Sequence, residues 1–225
     1  MKLAATLAAL VLAALVLPFL LPRSGAPADQ SQLPWRIKVL GDGRSEVFGL
    51  TLPTSTLAEA RRVHGGEFDV GLIREASGAL ALEAYQPSAR LGYVTGKLIL
   101  SLDASVERLA QMAGRAADSE ATRSGAWRLR LSAADARDAE QLAIAGISFI
   151  PSVDLDRDTV VDRFGEPARR IRQDRGTVHF LYPELGLDLL VDDDGRELLQ
   201  YVAPAAFAKL FEPLTAGSAG QASAQ

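Results

Sequence analysis

Six arginines crowd the stretch from residue 157 to residue 175: Arg157, Arg163, Arg169, Arg170, Arg172 and Arg175. A guanidinium presents a planar fork of donors that matches carboxylates and phosphates. Such a cluster suits an anionic polymer or a lipid head group. Residues 168 to 175 read as a strand, and side chains alternate across a strand. Arg170 and Arg172 therefore share one face and form the candidate binding pair, while Arg169 takes the other. The competing structural reading is a solvated strand whose arginines pair with Asp156, Asp158, Asp162 and Asp174.

The carboxylates invite a metal reading and then refuse it. Asp154-x-Asp156-x-Asp158 resembles the start of a calcium loop. Thr159 stands where glycine must turn the chain, and Gly165 stands where a bidentate acid must close the loop. Helix capping accounts for these aspartates. Asp192-Asp193-Asp194-Gly195 reads as a hairpin turn. We assign no metal ligand and no cofactor.

Nucleophilic catalysis lacks parts. The chain has no cysteine, its only histidines are His64 and His179, and no serine sits in a Gly-x-Ser-x-Gly elbow. His64 lies at a helix end, where an imidazole can bond free carbonyls and complement the dipole. His179 alternates with Val178 and Phe180, so it faces away from them, toward solvent. We assign no catalytic residue. The rival reading is an exported carboxylate- or metal-dependent hydrolase. Its mark would be a pocket where two carboxylates converge with His64 or His179.

The elements that must position these groups begin with a segment of another kind. Residues 3 to 21 (LAATLAALVLAALVLPFLL) carry no charge, with Lys2 before and Arg23 after. About 20 apolar residues cross a hydrocarbon layer of roughly 30 Å. Residues 1–23 are thus expected to be an uncleaved membrane anchor or a signal segment. In the second case Ser24-Gly25-Ala26 offers cleavage after Ala26. Lys2 and the amino terminus favour the cytoplasmic side. The expected location is the inner membrane, single-pass, with the body in the periplasm, or free in the periplasm after cleavage. Without Lys2 and Arg23 the chain has 22 basic and 28 acidic residues, a net charge of −6. That excludes a general nucleic-acid surface. An exported domain without disulfides must be held by its core alone.

Residues 24–33 read as a linker and 213–225 as a disordered tail. Between them short strands and helices alternate. Thr54 or Ser55 caps a helix to about His64, Asp103 one to about Ala117, and Ser132 one to about Ala143. Asp156 or Asp158 caps a helix closed by Gly165-Glu166-Pro167. Strands are expected near residues 35–40, 68–74, 79–85, 93–102, 127–131, 146–151, 168–175, 177–182, 187–191 and 197–202. Gln86-Pro87-Ser88 is read as a turn and the residues before Gly125 as a polar loop.

The stretch Thr159-Val160…Gly165-x-Pro167, followed by strands bearing Tyr182 and an Asp-Gly hairpin, resembles the SmpA/OmlA (BamE-like) outer-membrane assembly lipoproteins. The resemblance covers about residues 154–203, with a looser copy nearer the amino terminus. It implies helices packed on one face of an antiparallel sheet and a scaffolding role. This chain lacks the lipidated cysteine of that family and carries the apolar segment instead. The expected class is therefore α+β: an N-terminal transmembrane helix followed by two related helix-plus-sheet modules, at 34–145 and 146–212. The expected function is a membrane-anchored, extracytoplasmic, non-enzymatic binding or scaffolding protein of the cell envelope. Its partner would be an envelope protein or an anionic polymer.

Overall fold

The computed structural model describes residues 29–122, 125–173, 176–192, 197–208 and 210. The apolar run at 3–21, the tail at 213–225, Asp174, Arg175 and the Asp194-Gly195 turn lie outside them. Chain order runs β1 Lys38–Val39, β2 Ser45–Val47, β3 Leu50–Leu52, α1 Leu57–His64, β4 Asp69–Arg74, β5 Leu80–Leu91 and β6 Val94–Leu102. It continues with α2 Val106–Gly114, β7 Asp118–Ala121, β8 Trp127–Arg130, α3 Ala133–Ala139 and β9 Ile144–Pro151. The last third holds α4 Arg157–Phe164, β10 Arg169–Arg172, β11 Thr177–Tyr182, β12 Leu187–Asp192 and β13 Leu198–Val202.

Among the described residues, β1 to β3 form a small sheet and the other ten strands form one antiparallel sheet. Its order is β10-β11-β12-β13-β9-β6-β5-β4-β8-β7. One face is apolar. Matched residues run across it from Leu98 to Phe149, Leu199, Leu189 and Phe180, all buried, and the row ends on Arg170 at the sheet edge. The small sheet also packs into this core. Phe48 of the β2–β3 turn, at φ 55°, lies against Phe149 and edge-on to Tyr201.

Local signals start the helices. Thr56 and Glu59 form a reciprocal capping box on α1. The Ser132 hydroxyl accepts the Asp135 amide on α3, and the Asp156 carboxylate accepts the Thr159 amide on α4. Gly165 at φ 81° closes α4, and the Tyr182 hydroxyl donates to its carbonyl at 2.9 Å.

The expected class is overturned. Among the described residues, which exclude 3–21, no helix is long and apolar enough to cross a membrane, and what overturns the class is the sheet. The expected two helix-plus-sheet modules are one dominant, continuous sheet. The boundary expected at 145/146 falls inside β9, which pairs with β6 on one side and β13 on the other. Smaller corrections have clear causes. Gln86-Pro87-Ser88 is a bulge within β5, because the missing proline N–H is tolerated where the ladder slips register. The turn comes later, at Gly92. The expected polar loop contains β7, an edge strand exposed along its whole length and so without apolar alternation. Ser105, not Asp103, caps α2, and Thr56 replaces the Thr54 or Ser55 expected for α1. The expected linker is ordered from Asp29. A 3₁₀ turn at Gln30–Gln32 leads Leu33 into the core against Gly92, where an added Cβ would fall 2.8 Å from the leucine.

Candidate binding groove

The register sets the chemistry at the β10 edge. Arg170 lies opposite Phe180 and Arg172 opposite Val178, on the same face of the sheet. Directly opposed side chains on one face of an antiparallel pair touch. The structure thus brings the two candidate arginines together, as alternation predicts. Helix α4 covers this face a few residues inside the edge. It presents Arg157, Asp158 and Val161, the first and last being one helical turn apart. Between helix and edge strand lies an open groove of about 420 Å³. Val178 and Phe180 form its buried apolar floor, and Arg157, Asp158, Arg170 and Arg172 line it.

Arg170 is held in two ways. It bonds the Glu166 carboxylate at 2.8 Å, and its guanidinium carbon lies 5.4 Å from the Phe180 ring centroid. The ion pair is exposed, so it contributes little and can be exchanged for another anion. The ring contact fixes the plane of the fork. Tyr182 lies beneath, its phenol pushed up to about 12 by burial, so it stays a neutral donor to Gly165. Arg169, on the opposite face, is exposed. Arg163 leaves the cluster altogether and stacks 4.8 Å from the Trp35 ring centroid.

The histidines sit elsewhere. His179 does face away from Val178 and Phe180, but it is buried, not solvated. Its Nδ1 lies 2.9 Å from the Asp188 carboxylate, also buried, and its Nε2 lies 3.0 Å from Gln173 Oε1. Asp188 stands nine residues downstream on β12, beyond any local reading of β11. His64 ends α1 with neither ring nitrogen bonded, contrary to the expected carbonyl contacts. Burial pushes its pKa down to about 4.

Asp156 is engaged as a helix cap. Among the described residues no group of three His, Asp or Glu side chains is placed to hold a metal ion. Sequence reasoning missed a buried carboxylate, Asp135, and its partner Arg115, whose side chain is half exposed. The Arg115 fork donates to both carboxylate oxygens, Nε at 3.1 Å, and holds the Asp135 pKa below the usual range. Comparison with protein-family models, curated proteins and solved structures gives no match.

Proposed function

We propose that this is an exported, non-catalytic binding protein, attached to a membrane through residues 3–21 and holding an anionic partner in the groove between α4 and β10. One observation carries the reading. Two guanidinium groups converge on one face, over a buried apolar floor, at the end of a continuous core row. The floor fixes the forks and the open edge admits a ligand. A carboxylate or phosphate can replace Glu166 on Arg170 without disturbing the core. The histidines point the other way from a hydrolase. His179 meets one carboxylate and is sealed from solvent, and His64 meets none. The uncharged run, flanked by Lys2 and Arg23, supports export to a compartment outside the cytoplasm. The resemblance of residues 154–203 to SmpA/OmlA-type domains supports a scaffolding role in the cell envelope.

The test is charge reversal. Arg170→Glu with Arg172→Glu should abolish crosslinked partner recovery from native membranes and leave the melting temperature nearly unchanged, because both side chains are exposed. Unchanged recovery refutes the groove.

A further inference from the structure

One end of the sheet carries aromatic and aliphatic side chains left partly or largely exposed at the margin of the core. Trp35, half-buried, packs against Tyr93 with ring centroids 6.0 Å apart. Tyr93 is 58 % exposed at the β5–β6 turn. Val153 is 51 % exposed just past β9. It belongs to the same end, because the Ser152 amide donates to the Thr95 carbonyl. Arg163 stacks on the Trp35 ring at 4.8 Å, and Arg36 and Arg90 are exposed beside it.

This is also the end at which the chain enters the fold. Asp29 and Leu33 pack against Gly92, one residue before Tyr93, and the Tyr201 hydroxyl donates to the Pro34 carbonyl. The strap from Asp29 to Trp35 is therefore pinned at both its turn and its backbone. Upstream, eight residue steps separate Asp29 from Leu21, the last residue of the uncharged run. Those steps reach at most roughly 28 Å when fully extended.

We infer that this end of the sheet, built from Trp35, Tyr93 and Val153 with Arg36, Arg90 and Arg163, rests on the surface of the bilayer that holds residues 3–21. The inference rests on the membrane attachment proposed above and adds an orientation to it. Tryptophan and tyrosine suit the head-group layer, where a ring can be half apolar and half wet. Arginines at the same level meet lipid phosphates. The short reach of the chain keeps the patch within range of the surface. Helix α4 borders both sites, with Arg157, Asp158 and Val161 lining the β10 groove and Arg163 joining the patch, so the two contacts use different side chains.

The chain carries its own control. Its two tryptophans are Trp35 and Trp127. Trp127 opens β8, aligned with Arg74 and hence with Leu80, the far end of β5 from Tyr93. The two levels are separated by roughly 35 Å along the strand. The full chain is reconstituted into phosphatidylethanolamine–phosphatidylglycerol vesicles with brominated acyl chains. Single-tryptophan variants Trp127→Phe and Trp35→Phe report each end. Emission from Trp35 should fall by about half or more, and that from Trp127 by about a tenth at most. Tyr93→Asp with Val153→Asp, at exposed positions, should relieve the quenching of Trp35 while the protein still floats with the vesicles. Flotation with Trp35 unquenched, or with Trp127 quenched equally, overturns the orientation and leaves the attachment standing. Failure to float overturns both.

Discussion

His64 makes the fold acid-sensitive in a defined window. Its pKa is about 4 in the folded chain against an ordinary 6.5. The unfolded chain therefore takes up a proton below pH 6.5 that the folded chain refuses until about pH 4. Stability is fully present above pH 6.5 and declines as the pH falls. The loss amounts to about 2 kcal/mol at pH 5 and about 3 kcal/mol at pH 4. Other groups titrate nearby. Burial raises Glu83 and Glu197, which opposes the trend, and Arg115 lowers Asp135, which adds to it at more acidic pH. A comparison with His64→Leu cancels these shared terms. The variant also removes two buried nitrogens that have no partner, so a pH-independent offset is allowed for. Urea unfolding of both proteins at pH 7.5 and 5.0 gives the difference of differences. The variant should lose about 2 kcal/mol less than the parent over that step. Parallel profiles, agreeing within about 0.5 kcal/mol, would refute the buried, neutral imidazole.

Asp135→Ala removes a buried carboxylate that accepts from the Ser132 hydroxyl and from Arg115; chemical denaturation should show a loss of about 1–3 kcal/mol, because both side-chain bonds go while the Ser132 cap on the residue 135 amide remains. Gly96→Ala would push a Cβ against the Ile150 carbonyl oxygen and within 2.6 Å of the Phe149 ring; the melting temperature should fall by an amount equivalent to about 2 kcal/mol or more, since backbone cannot yield as a side chain can.

Local chemistry was the legible part of this fold. The cap at Ser132 is readable, and that of α4 is narrowed to Asp156 or Asp158, because a cap needs only its own next three residues. The shared face of Arg170 and Arg172 follows from strand alternation alone. What lay beyond reach was non-local. Proline and serine at 87 and 88 read as a turn, yet the partner strand β6 absorbs them as a bulge. Nothing near Arg170 announces that Phe180 lies opposite or that α4 walls the groove. His179 was oriented correctly relative to its neighbours, but its burial depends on Asp188 in another strand. The two-module reading failed for the same reason. Each half contains plausible hairpins, and only pairing across β9 shows that they share one sheet.

That shared strand has a consequence for how the protein is made. The edge of β6 stays open until β9 has been synthesised, and β9 then waits for β13 to cover its other side. From Leu102 to Val202 the ribosome must add 100 further residues. At synthesis rates of about 5–20 residues per second, that is roughly 5–20 s during which long apolar strands have unsatisfied edges. Open edges template pairing with other chains, so a cell making this chain gains from shielding them for that interval. Delivery across a membrane before β13 emerges would do so, and a chain retained at its birthplace would be a substrate for holdase chaperones.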